Sequence, residues 1–240
     1  MNLHDISFTS RGLVVLDEIR LPHRKALTDI LGGSGAYGGL SCSVSHATKE
    51  FKYTTPILAI QDSSLKNTPL LTSRAYHYLE TPQNITIRLS SLLVLREKSG
   101  VPERPLIIWE PAPFSCTAEN LQSCLDAVCM VDVFSPNHLD LAALFGQSRP
   151  AVADKDKIEA QALRFLDSGV GRDGKGTVIV RAGEHGCLVI ARDTSPIWLP
   201  PFYRSRPGDT PHAKVVDPTG AGNAFLGAFA AGYLQTGSLV

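Results

Sequence analysis

The chain has 240 residues, 43% of them hydrophobic, enough for one large α/β domain, or two small ones, with a sizeable core. Lys plus Arg and Asp plus Glu both number 23, so the net charge is zero. That excludes the global basic field by which a protein holds nucleic acid or an anionic membrane, and leaves only local basic patches such as Arg204 with Arg206 or Arg172 with Lys175.

Taken from the N-terminus, Gly12 to Asp17 reads as a buried strand with a carboxylate at its end, and Ala26 to Leu31 as an apolar run ending in Gly32-Gly33-Ser34-Gly35, a turn before a helix. Residues 38–48 are small, polar and aperiodic. Phe51 to Ile60 is β-prone, and Ala75 to Leu79 is a short strand. Ile85, Leu89, Leu92, Leu93 and Leu95 recur at helical period within Gln83 to Lys98. Leu106 to Trp109 is a strand stopped by Glu110-Pro-Ala-Pro113. Leu121, Cys124, Leu125, Val128 and Cys129 lie at i, i+3, i+4, i+7 and i+8 of a helix. Val131 to Phe134 is a strand stopped by Ser135-Pro136. Asp154 to Ser168 is an amphipathic helix ended by Gly169. Thr177 to Arg181 and Cys187 to Ala191 are apolar strands around Gly183-Glu-His-Gly186, a hairpin signal. Pro196 to Pro211 reads as a proline-rich loop.

Strands alternating with helices predict an open, mostly parallel sheet with helices on both faces. Ligands bind such sheets at the carboxyl ends of the strands, where Asp17, Glu110, Asn137 and the Gly220 loop fall. The five cysteines, Cys42, Cys116, Cys124, Cys129 and Cys187, are odd in number and form no Cys-x-x-Cys pair. A disulfide framework or a zinc site is not expected, and Cys124 and Cys129 read as buried free thiols. This usage suits a reducing, cytoplasmic setting. No run reaches transmembrane length, and the first residues lack a secretory pattern.

The segment Val215 to Phe229 carries the most chemistry. Gly220-Ala221-Gly222 joins an apolar strand to a helix of small residues. Glycines let successive N–H groups point into one concavity, and the helix adds its positive pole. The result is an anion hole, as phosphoryl transfer needs. His77, inside an apolar strand, reads as a satisfied half-buried histidine; His185 reads as a surface turn residue; Trp109 and Trp198 read as packing.

Asp217-Pro-Thr-Gly-Ala-Gly-Asn223-Ala-Phe225 resembles the C-terminal signature of the PfkB (ribokinase-like) carbohydrate kinases. The family signature has an Asp, its catalytic base, where this chain has Asn223. Other marks follow in order. Gly32-Gly33 resembles the early di-glycine that approaches the sugar, and Asp17 stands where the family places an acidic sugar contact. Glu110-Pro-Ala-Pro resembles Asp-Pro-Asn. Asn137-His-Leu-Asp140 resembles the Asn-x-x-Glu that organises Mg²⁺ and phosphates. Arg181-Ala-Gly183-Glu-His-Gly186 resembles the nucleotide segment Thr-x-Gly-x-x-Gly, with Arg for Thr. The flavour is that of a fungal branch, the maintenance-of-killer type, which also carries Gly-Gly-Ser-Gly near its start.

The resemblance implies a single ribokinase-like domain over 1–240. It implies a reduced lid around 37–60 and fewer C-terminal helices than the family has beside the adenine. Implied ligands are ATP, Mg²⁺ with room for a monovalent cation, and a sugar or nucleoside. Asp17, Gly32 and Gly33 would meet the substrate. Asn137, Arg181, Gly183, Gly186 and Asp217 would meet the nucleotide, with Gly220, Ala221 and Gly222 as the anion hole. Asp140 and Glu110 would reach Mg²⁺; Asp140 reads equally well as an acid in a first helical turn, which the dipole favours. An amide at 223 cannot accept the substrate proton, a loss that costs ~10²–10⁴ in rate. Two functions therefore stand open: a weak sugar or nucleoside kinase, and a pseudokinase that acts by binding a protein partner or by self-association. The small-residue helix after Gly220 is expected to leave an exposed patch.

Overall fold

The computed structural model describes residues 8–11, 15–19, 27–32, 61–148, 153–203 and 220–239. Nine strands and five α-helices follow one another there. The strands are β1 (Phe8–Arg11), β2 (Val15–Ile19), β3 (Leu27–Gly32), β4 (Ala75–Glu80), β5 (Leu106–Pro111), β6 (Val133–Phe134), β7 (Thr177–Arg181), β8 (Cys187–Ala191) and β9 (Ile197–Leu199). The helices are α1 (Pro82–Lys98), α2 (Leu121–Ala127), α3 (His138–Leu144), α4 (Lys155–Gly169) and α5 (Ala221–Thr236).

Seven strands form one sheet in the order β1-β4-β5-β6-β7-β8-β9. From β1 to β7 each pairing is parallel, and β8 and β9 are antiparallel additions. The open, mostly parallel sheet expected from the sequence is present. So is the hairpin at Gly183 to Gly186, where Arg181 pairs with Cys187. β2 and β3 pair only with each other, antiparallel, as a small second sheet. This extra sheet is built from Val15–Ile19 and Leu27–Gly32, upstream of the 37–60 stretch in which a reduced lid was expected. That stretch, the β-prone run 51–60 and the helix expected after Gly35 all lie outside the described residues.

The parallel strands are apolar on both faces because each face is covered. On one face α1 to α4 bury Ile85, Leu89, Leu92, Cys124, Leu141, Ile158 and Phe165 against Tyr76, Tyr78, Ile107, Trp109, Phe134 and Val178. Trp109, Phe134 and Phe165 pack in series as tilted rings, with centroids 5.1 Å and 4.5 Å apart. On the other face α5 presses Leu226 and Ala230 onto Ala75, Ile108, Val133 and Ile179. Alternation along each strand thus sorts side chains into an α1–α4 set and an α5 set.

Local signals set the helix ends. Thr81 caps α1 by accepting from the Asn84 N–H, and Pro82 sits at the first helical position, where its missing N–H costs nothing. Asp154 caps α4 by accepting from the Lys157 N–H. Three differences from the sequence reading have local causes. β9 runs through the expected proline-rich loop, because Ile197 to Leu199 pairs with β8 between the flanking prolines. β1, Phe-Thr-Ser-Arg, lacks an apolar pattern because it is an edge strand held by β4. The α2 period stops at Ala127, and a 3-10 turn over Val128–Met130 turns Cys129 outward, so this thiol is exposed rather than buried. Cys124 is buried as expected, and desolvation pushes its thiol up to about 12.

Candidate active site at the start of the last helix

Strand alternation places His77, Glu110, Ser135 and Arg181 on the α5 side of the sheet. Each follows a residue of the opposite set: Tyr76, Trp109, Phe134 and Val180 face α1–α4. The four come from the neighbouring strands β4, β5, β6 and β7, so they form a polar row across the α5 face, running from mid-β4 to the carboxyl ends of β6 and β7. Ser135 extends β6 by one residue, its N–H donating to the Trp109 carbonyl at 2.8 Å. An isolated parallel bridge between Asn137 and Arg181 draws the start of α3 to the end of β7.

The row is hydrogen-bonded end to end. Arg181 Nη2 donates to Glu110 Oε1 at 2.6 Å and to the Ser135 carbonyl at 2.9 Å. Glu110 Oε2 lies 3.1 Å from His77 Nε2, and His77 Nδ1 lies 3.1 Å from Ser10 Oγ on β1. Burial alone would raise the Glu110 carboxyl, but the Arg181 charge and the His77 hydrogen bond outweigh it and hold it below its ordinary value. Glu110 is therefore a carboxylate, 8% exposed, with one protein partner on each oxygen.

α5 begins over this row. Gly220 caps the helix with a left-handed backbone (φ 78°), and among the described residues no side chain caps the first N–H groups, which leaves them as open donors there. A Cβ at position 222 would overlap Arg181 Nη1 and lie 3.4 Å from its Cζ. The guanidinium therefore rests directly against the first turn of α5. Three polar atoms around this point are buried without a hydrogen-bond partner among the described residues: Arg181 Nε, Ser135 Oγ and Asn223 Oδ1. Buried orphans of this kind mark a place that a ligand or water completes.

The structure thus brings together Glu110, Arg181, the Gly220-Ala221-Gly222 loop and Asn223. Asn137 and Asp140 stand beside Arg181 as a reciprocal cap of α3. Asn137 Oδ1 accepts from the Leu139 and Asp140 N–H groups at 2.9 and 2.8 Å, and its Nδ2 donates to Asp140 Oδ2 at 2.5 Å. Gly183 and Gly186 hold the turn after β7 with φ of 57° and 86°. Asp17 does not end a strand of the main sheet as expected: it lies in the middle of β2 in the small sheet, paired with Ile30, and Gly32, expected in a turn, is the last residue of β3, paired with Val15. Gly33 and Asp217 lie outside the described residues.

His77 and Ser135 are the residues the sequence reading missed. His77 is fully buried rather than half-buried, and it is satisfied by members of the site. The available signal was alternation: both stand on the α5 side of the sheet, Ser135 just past the end of β6 and His77 in the middle of β4. A cavity lined by His138, Ala142, Asp154, Lys157 and Gln161 between α3 and α4 shares no residue with the cluster.

Among the described residues no group of three His, Cys, Asp or Glu converges as a metal site, and no helix is long and apolar enough to cross a membrane. The groups present fit an oxyanion: orphan N–H donors, a guanidinium and a hydroxyl. Among the described residues they do not gather a set of protein ligands for Mg²⁺: Glu110 is engaged by Arg181 and His77, and Asp140 by the α3 cap.

Comparison with known proteins places this geometry. The chain aligns over 98% of its length with 81% of an uncharacterized protein of Schizosaccharomyces pombe, at 26% identity. It matches Protein MAK32 of Saccharomyces cerevisiae at 31% identity over 61% of this chain and 40% of that one, and a deoxyribokinase of Salmonella typhi at 34% over 46% and 30%. Among solved structures it superposes on a ribokinase from Giardia lamblia with a TM-score of 0.62 at 12% identity, covering 97% of this chain and 83% of that one. An Arabidopsis thaliana ribokinase complexed with ribose and ATP gives 0.59 at 17% identity, covering 98% and 88%. These structures share the ribokinase-like fold. The family model described as pfkB family carbohydrate kinase matches residues 109–240, from β5 through the α5 signature, and the chain belongs to that family.

Proposed function

We propose that this chain binds a nucleotide by its phosphates at the start of α5, facing a sugar or nucleoside hydroxyl, and that Asn223 makes phosphoryl transfer slow. The observation that carries the reading is Asn223 itself, in the first turn of α5 with a buried, unpartnered Oδ1. The amide can hydrogen-bond a hydroxyl or a phosphate oxygen. It cannot take the proton that a hydroxyl loses on attack.

The roles divide among the residues present. The first N–H groups of α5 and Arg181 bind the phosphate oxygens, and Glu110 and the Ser135 carbonyl orient Arg181. A bound nucleotide would supply the phosphoryl group. Positioning and charge stabilisation carry most of such a transfer, so binding outlives the loss of the base. The same substitution favours a second reading, in which the chain is a pseudokinase whose biological output is binding, through a protein partner or a second copy.

The test is calorimetric titration with ATP, paired with a phosphoryl-transfer assay over pentoses, hexoses and nucleosides. Binding is expected in the native chain. Asn223→Asp, nearly isosteric, is expected to raise transfer or background ATP hydrolysis by ~10-fold or more, within the reach of a general base. Rapid turnover by the native chain would sink the claim that Asn223 limits the reaction. Failure to bind ATP would sink the nucleotide site.

A further inference from the structure

The Arg181 side chain is placed where simple electrostatics opposes it. The start of α5 carries a partial positive charge from its uncapped N–H groups, equivalent to roughly half an elementary charge. No acidic residue stands in its first turn to offset that charge. Into this region β7 delivers a full guanidinium, 13% exposed, with Nη1 against Gly222. Two positive groups thus converge on one point.

Glu110 offsets only part of this. It binds Nη2, while Nη1 is the atom that meets Gly222, and it shares its charge with His77. Beside the convergence lie two buried donors with no partner among the described residues: Arg181 Nε and the hydroxyl of Ser135, a residue with no exposed surface. Ser135 lies on the α5 side of the sheet, under the same helix. Donors from a helix start, a guanidinium and a hydroxyl, with a net positive field, describe the surroundings of a tetrahedral oxyanion.

We propose that Arg181 is a built-in counter-charge for a phosphoryl group, so that this site binds phosphate and nucleoside diphosphates without a divalent cation. In this inference, which rests on the nucleotide reading above, Arg181 supplies charge that a metal ion would otherwise bring. Glu110, backed by His77 and Ser10, is a positioning residue that fixes the guanidinium. Gly222 is required because any Cβ there would displace Nη1. An arginine is suited to the task because its planar fork can hold Glu110 with one nitrogen and an anion with another.

The experiment is calorimetric titration of the full chain with inorganic phosphate and with ADP, each in EDTA and then in Mg²⁺. The native chain is expected to bind both in EDTA, with Mg²⁺ changing the ADP affinity by less than ~3-fold. Arg181→Met is expected to weaken both ligands by ~10-fold or more in EDTA, the loss of a charge-assisted contact. Arg181→Lys should recover part of it. Gly222→Ala keeps every charged group and gains helix propensity, and by displacing Nη1 it too should weaken phosphate. Melting curves establish that each variant is folded. ADP bound only in Mg²⁺ would overturn the inference and leave the nucleotide reading standing. A folded Arg181→Met that binds phosphate and ADP like the native chain would also overturn it. A native chain that binds ADP under neither condition would overturn both.

Discussion

Glu110 holds one partner on each carboxylate oxygen, Arg181 and His77, in a setting that excludes most water. Such a carboxylate is useful only while ionised, and its folded-state value lies below the ordinary 4.5. Its contribution to stability is therefore fully present above about pH 4.5 and is lost as the pH falls through the lower folded value. Glu110→Gln removes the charge and leaves the buried guanidinium half-compensated. Breaking one side of a buried ion pair costs about 3–5 kcal/mol, and the amide's remaining hydrogen bonds put this variant near the lower end. Urea unfolding should show the native chain ahead by about 3 kcal/mol at pH 7, with the gap closing on acidification below pH 4.5. A gap that stays constant down to strongly acid pH would mean that the ion pair is not what Glu110 contributes. The residue type at 110 and at 181 was legible in the sequence as a departure from a family pattern. Their mutual ion pair was not, because 71 positions separate them and only strand order makes them neighbours.

At the scale of elements, strongly periodic segments announced themselves. Ile85, Leu89 and Leu92 on α1 and Ile158, Ala162 and Phe165 on α4 fix their faces by spacing alone, and both helices carry their caps in the adjoining residues. Short elements did not. β9 has three residues and β1 four, and each exists because a neighbour pairs with it; pairing between distant segments leaves little trace in local composition. The turn between β7 and β8 shows how one motif can hide two requirements. Gly183 and Gly186 both resemble nucleotide-contacting glycines, yet their surroundings differ. A Cβ on Gly183 would meet nothing within 4 Å. A Cβ on Gly186 would collide with the Leu199 carbonyl oxygen and lie 2.8 Å from the Pro200 carbonyl carbon, both backbone atoms. Gly186 is thus the point at which β9 crosses close to the hairpin. Gly183→Ala should cost about 1–2 kcal/mol, the price of a left-handed alanine. Gly186→Ala adds a backbone collision to the same strain and should cost about 3 kcal/mol or more. Denaturant unfolding of the two variants decides it: equal losses would show that β9 does not pack there.

The whole molecule is unequal on its two faces. Four helices cover one side of the sheet, and among the described residues α5 is the helix packed on the other. α4 buries five of its residues, Ile158, Gln161, Ala162, Phe165 and Leu166, over 15 positions. α5 buries only Leu226 and Ala230 over 16. The outer positions of α5 are small, with Ala228, Ala231 and Gly232 exposed, so the expected patch consists of alanine and glycine and not of large apolar side chains. Few buried contacts mean a low free energy of local opening, and the proposed ligand binds at the start of this least secured helix. Binding to the closed helix alone should stabilise it by mass action, by about 2.7 kcal/mol when the ligand stands at 100 times its Kd. Hydrogen exchange followed by mass spectrometry should therefore show α5 amides exchanging faster than those of α1 and α4 in the free protein. Saturating nucleotide should slow α5 by up to ~100-fold and leave α1 nearly unchanged. An α5 already as protected as α4 without ligand would refute the unequal-face argument. Protection spread evenly over all helices would place the ligand's effect on global stability, and not on the element that carries Gly222 and Asn223.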